Sequence, residues 1–82
     1  MSKITRIRFS ARFQVDDRSE VRVQQADFKL GLGPCGKEVT ELETSYGEHM
    51  MEVMQGHSDG TAKRFVYPIA HLTGRVEETY GN

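Results

Sequence analysis

Cys35, His49, His57 and His71 are the residues of this 82-residue chain that could ligate a soft metal, and Cys35 is also its one thiol nucleophile. Zinc-type sites use close pairs, such as Cys-x-x-Cys or two His one helical turn apart. None of the four stands in such a pair, so their spacing predicts no metal. Lys37 could lower the pKa of Cys35, but a single Cys in a turn reads as an inert thiol. His57-Ser58-Asp59 holds the residue types of a catalytic triad. Neighbours in one tight loop cannot take up a triad's geometry, however. His57 is expected to be solvent-exposed there, His71 to pack at a short turn, and His49 to be half-buried. The carboxylates Glu41 and Glu43, and Glu77 and Glu78, read as solvated strand faces and tail rather than an acid/base pair in a cleft. No catalytic residue, cofactor or metal is therefore expected, and the chain reads as a non-enzyme.

Gly31-Leu32-Gly33-Pro34-Cys35-Gly36-Lys37-Glu38 resembles the phosphate-binding P-loop up to its last position. A P-loop ends in a hydroxyl that holds Mg²⁺ and leads into a helix. Glu38 puts a negative charge where that hydroxyl belongs. Three Gly and one Pro in six residues read more simply as a turn between strands.

The remaining candidate chemistry is that of surfaces. Ile7, Phe9, Ala11, Phe13 and Val15 alternate with Arg6, Arg8, Ser10, Arg12 and Gln14. In a strand this places an oily face on a core and a basic face outside. Arg6, Arg8 and Arg12, with Lys3, fall along one line at ~7 Å per two residues, a spacing that can follow phosphates. They are the candidate partner- or nucleic-acid-binding residues. Charge is distributed unevenly: residues 1–30 hold seven basic and four acidic residues, and residues 31–60 one basic and six acidic. Cross-strand pairing between a basic and an acidic strand would explain this, and so would two faces of opposite sign. Met50, Met51 and Met54 are a candidate hydrophobic interface, since Met adapts to a partner. On a strand, Met50 and Met54 share one face, and Met51 and Val53 the other.

The elements that must position these residues are mostly strands. The first runs from about Lys3 to Val15, and Asp16–Ser19 reads as a hairpin loop. Val21 and Val23 alternate in one phase, and Ala26, Phe28, Leu30 and Leu32 in the opposite one. A slip of one residue turns a strand's oily face over, so a bulge or break is predicted at Gln24-Gln25. Residues 37–55 are ambiguous. Val39, Leu42, Tyr46, His49, Met50 and Val53 have 3-4 spacing and suggest a helix. Thr40, Thr44, Ser45 and Gly47 oppose it and favour strands at about 38–45 and 48–55. Lys63–Tyr67 is a strand ended by Pro68, Ile69–Leu72 suits one 3₁₀ turn, and Thr73–Glu78 a last short strand.

Phe65-Val66-Tyr67-Pro68-Ile69-Ala70-His71-Leu72-Thr73-Gly74-Arg75-Val76 (strand, Pro, short turn, strand) resembles the end of SH3-like and Sm-like barrels. The expectation is one small domain over residues 1–82, frayed at 1–2 and 79–82. Its fold is a small antiparallel barrel or strongly bent sheet of about five strands. The alternative is α+β, with a helix at about 37–55 packed on an antiparallel sheet. One Cys suits a reducing, cytoplasmic setting, and no run is apolar enough for a membrane span. The expected function is a binding module for another protein, an adaptor or inhibitor able to form a homo-oligomer. In size and style it resembles accessory or phage-encoded proteins. The alternative is a nucleic-acid-binding barrel using the basic face of the first strand.

Overall fold

A computed structural model describes residues 3–14, 21–32 and 36–81. The hairpin loop expected at Asp16–Ser19, the thiol of Cys35, and Gly33 and Pro34 lie outside the described residues, as do the termini expected to fray at Met1, Ser2 and Asn82. Among the described residues the fold is all β apart from one 3₁₀ turn. Seven strands form in order: β1 Lys3–Gln14, β2 Val21–Lys29, β3 Gly31–Leu32, β4 Glu38–Tyr46, β5 Met50–His57, β6 Ala62–Pro68 and β7 Leu72–Gly81. The 3₁₀ turn is Ile69–His71. Two antiparallel sheets result, a three-stranded one ordered β2-β1-β7 and a four-stranded one ordered β3-β4-β5-β6.

Two expectations are corrected. Seven strands in two sheets replace the barrel of about five strands, and the sheets do not close into a barrel. The helix at about 37–55 does not form, because β4 and β5 pair antiparallel there, with Leu42 opposite Gln55 and Thr44 opposite Val53. In the 3-4 apolar spacing that suggested the helix, the step from Val39 to Leu42 comes from a register shift between Val39 and Glu41. That shift lets Val39 and Leu42, three residues apart, both face inward.

The core lies between the sheets. Ile7 and Phe9 of β1, Val39 and Leu42 of β4, and Met51 and Val53 of β5 are its buried members. Phe9 sits edge-on to Tyr67 with ring centroids 4.8 Å apart, and Phe28 packs on Phe65 at 5.0 Å. Such pairs prefer these tilted geometries because a ring's positive edge meets its neighbour's negative face. Leu30 N–H donates to the Thr5 carbonyl at 3.1 Å, which carries the chain from the first sheet toward the second.

β7 continues through Thr79 and Tyr80 to Gly81, three residues past the expected end of the last strand. It pairs with β1 from Lys3 opposite Gly81 to Ala11 opposite Leu72. The two strands pass from Arg8 opposite Glu77 to Ser10 opposite Thr73. Phe9 alone therefore spans Gly74, Arg75 and Val76, and β7 bulges outward at Gly74, whose φ is 72°.

Candidate functional site

The outer face of the three-stranded sheet follows from the register. Directly opposed residues share a face. Arg6 stands opposite Lys29, Arg8 opposite Asp27, Ser10 opposite Gln25, Arg12 opposite Val23 and Gln14 opposite Val21. The β1–β2 ladder carries no register shift, so the bulge expected at Gln24-Gln25 does not form. The change of phase in the sequence is resolved differently. β2 keeps its register, Ala26 and Phe28 face the core, and Val21 and Val23 face solvent at 59% and 61% exposure. Phe13, on the inner face of the same end, is 42% exposed. Beneath it a hollow of about 290 Å³ is lined by Phe13, Gln24, Tyr67, Pro68 and His71.

The three arginines of β1 have different surroundings. Arg6 donates from Nε to Asp27 Oδ1 at 2.9 Å and from Nη2 to Asp27 Oδ2 at 2.6 Å. The hydrogen bond and charge of Arg6 hold the Asp27 carboxyl below the ordinary carboxylate range, and the same pair raises the Arg6 pKa. Arg12 donates from Nη2 to the Ala70 carbonyl at 2.9 Å, tying β1 to the 3₁₀ turn. Arg8 makes no hydrogen bond or ion pair among the described residues. Its Nε is buried without a partner, although its charge helps lower the Asp27 pKa. Arg8 borders a pocket of about 210 Å³ opened by the β7 bulge and shared with Ser10, Gln25, Thr73, Gly74, Arg75 and Glu77. Lys3 is exposed at the end of β1 opposite Gly81.

The basic strand is not paired with the acidic middle of the chain. Its neighbours are β2 and β7, whereas Glu41, Glu43 and Glu52 stand on β4 and β5 of the other sheet. The partner of Arg6 is Asp27, the single acidic residue of β2. The outer face of the first sheet carries Arg6, Arg8, Arg12 and Lys29 against Asp27 and Glu77, an excess of positive charge.

The methionines divide as alternation requires. Met51 is fully buried and belongs to the core. Met50 and Met54 lie on the outer face of the second sheet at 43% and 40% exposure, close to Val66 at 44%. Glu52 and Arg64 form an ion pair beside them.

The sequence did not mark the cluster built on Glu78. Opposite Ile7 on the inner face of β7, Glu78 accepts hydrogen bonds from Thr44 Oγ1 at 3.0 Å and from the hydroxyls of Tyr46 and Tyr80. Two residues of β4 are thus joined to β7 across the sandwich. The bonds from Tyr46 and Tyr80 lower the Glu78 pKa against the opposing effect of burial. Burial, then the bond to Glu78, pushes Tyr46 up to about 12. Only knowledge that β4 faces β7 could have revealed this cluster.

His57 is buried rather than exposed, because it ends β5 opposite Val39 with its side chain turned inward. Its Nδ1 lies 3.4 Å from Thr61 Oγ1. Asp59 accepts from the Thr61 N–H at 2.9 Å and from its hydroxyl, and pairs with Lys37 at 3.3 Å; the Thr61 bonds first, and Lys37 after them, lower its pKa to about 2. His57-Ser58-Asp59 is therefore a hydrogen-bonded turn between β5 and β6. His49 is exposed rather than half-buried, and His71 is exposed in the 3₁₀ turn. The P-loop-like stretch leads into strand β4, which pairs antiparallel with β3 (Gly31 opposite Val39), and not into a helix. Among the described residues no three His, Cys, Asp or Glu are grouped to hold a metal, and no helix is long and apolar enough to cross a membrane.

The chain belongs to the family of the Enterobacteria phage T3 gene 1.05 protein, whose model matches residues 3–80. It is 39% identical over 80 residues to a protein of Enterobacteria phage T3 described as "Uncharacterized gene 1.05 protein", covering 98% of this chain and 84% of that relative. No solved structure matches the chain.

Proposed function

We propose that this member of the phage T3 gene 1.05 family is a non-enzymatic module that binds another protein over the outer face of its β2-β1-β7 sheet. The observation that carries this reading is the placement of Val21 and Val23, two strand residues held in solvent by a register that could have turned them inward. Large apolar residues standing together on a regular sheet face mark interaction surfaces. Next to them the face is positively charged, so the partner it fits combines apolar side chains with acidic ones. Arg6 is engaged by Asp27 and Arg12 by the Ala70 carbonyl. The four cations first singled out therefore do not form an open line for a polyanion, and this weighs against the nucleic-acid alternative.

The test compares capture from host cells by tagged wild type, the V21T/V23T variant and the M50T/M54T variant, beside titration of purified protein with generic DNA and RNA across a salt series. A partner held by wild type and M50T/M54T but lost with V21T/V23T supports the reading. Capture indifferent to V21T/V23T overturns it. So does tight nucleic-acid binding that weakens steeply with salt.

A further inference from the structure

We infer that Arg8 and the β7 bulge form a receiving site for a single carboxylate, an acidic side chain or chain terminus of the protein partner. This rests on the protein-binding reading above and names the chemistry of one contact within it.

The site is assembled by three strands. Arg8 and Ser10 come from β1, Gln25 from β2, and Thr73, Gly74, Arg75 and Glu77 from β7. Regular pairing would bring β7 close against β1 at this point. The excursion at Gly74 instead leaves a pocket of about 210 Å³. No atom lies within 4 Å of the position a Gly74 side chain would occupy, so the excursion is open to the outside. Bulges re-aim side chains and end pairing locally, and are frequent beside functional sites.

Arg8 and Arg75 outnumber Glu77 in the pocket lining, and Arg8 makes no hydrogen bond or ion pair among the described residues. Asp27 is engaged by Arg6, and Glu77 accepts from Arg75 Nε at 3.1 Å. A half-buried guanidinium with an unpartnered Nε is an uncommon arrangement, since buried donors almost always find acceptors. A carboxylate is the ligand that matches it. Its two oxygens can meet the Nη groups of the guanidinium, the Nε being closed off from solvent, and Ser10, Thr73 and Gln25 supply neutral donors around it. A nucleic-acid backbone fits less well. It presents a continuous row of charges, and Asp27 and Glu77 flank Arg8 from both neighbouring strands. A single carboxylate meets less repulsion from these two acids than a row of phosphates does.

The test titrates the isotopically labelled chain with sodium acetate, sodium dimethyl phosphate and sodium chloride at matched ionic strength, and follows the Arg8 Nε–H and Gly74 amide signals by NMR. The expected result is a saturable shift of both signals with acetate, no saturable shift with chloride, and weaker binding of dimethyl phosphate. R8K, which keeps the charge but loses the fork, should weaken acetate binding roughly tenfold. Shifts that track chloride overturn the site, and so does dimethyl phosphate binding as tightly as acetate. V21T/V23T should bind acetate like wild type, so failure of the partner reading and failure of the carboxylate site are told apart.

Discussion

Arg6 and Asp27 are joined by two parallel hydrogen bonds at 2.9 and 2.6 Å, across strands and diagonal to the register that sets Arg6 opposite Lys29. The fork of the guanidinium meets both carboxylate oxygens, the strong form of such a pair. It also removes Arg6 from the cations available to a partner. The Asp27 carboxyl is depressed in the folded state, so its contribution to stability is present above the unfolded carboxylate pKa and lost as pH falls through the folded value. Asp27→Asn should flatten the acid limb of a thermal melting profile recorded from pH 6 to pH 2. An unchanged acid limb would show that the exposed pair contributes nothing measurable, as many do.

The tyrosines provide a second readout. Tyr46, Tyr67 and Tyr80 are all raised, Tyr46 to about 12. A raised phenol gives stability that is present below the unfolded pKa and lost as pH climbs through the folded one. Phenolate absorbance in the native protein should therefore appear above the ordinary tyrosine range. Glu78→Gln should lower the titration of Tyr46 and Tyr80 and leave Tyr67 in place, because burial alone raises Tyr67. Identical curves for wild type and variant would mean that Glu78 does not accept from these hydroxyls in solution.

The division of the methionines predicts opposite fates under mutation. Met51→Ala and Ile7→Ala empty fully buried positions and should cost about 2–5 kcal/mol each. Met54→Ala, on the outer face, should stay within ~0.5 kcal/mol. Urea unfolding of the three variants measures this. A loss at Met54 as large as that at Met51 would place the second sheet's outer face inside an assembly.

Mild peroxide separates the same residues chemically. Met50 and Met54 should become sulfoxides well before Met51, because oxidation follows exposure. Peptide mass spectrometry over time reads the order, and early oxidation of Met51 would contradict its burial.

Val21→Thr with Val23→Thr should leave stability within ~0.5 kcal/mol, since both side chains already face water. A large destabilisation in a melting experiment would return these valines to the core and remove the observation on which the proposed interface stands.

Alternation made the first strand legible. Ile7 and Phe9 are buried and Arg8 and Arg12 face outward, as period two requires. The choice of strands over a helix at 37–55 was also readable, from Thr40, Thr44, Ser45 and Gly47. The number of sheets and their order were not, because pairings such as β1 with β7 are set by contacts remote in sequence. Val21 and Val23 misled for a related reason. Patterning assumes that valines seek the core, and here the pairing of β1 with β2 outweighs two exposed side chains. The three arginines looked equivalent in sequence. What distinguishes them is Asp27, the Ala70 carbonyl and the bulge at Gly74, none of which spacing along one strand can reveal.

The pairing of β1 with β7 has a consequence for how the chain folds. Lys3 meets Gly81, so the central strand of one sheet waits for residues 78 positions later. Closing so long a loop is entropically costly before any contact repays it, and such topologies fold slowly. The meander β4-β5-β6 can zip up from local turns while β1 still lacks a neighbour on one side. During synthesis the first strand is the earliest to appear, yet it is among the last to be fully paired.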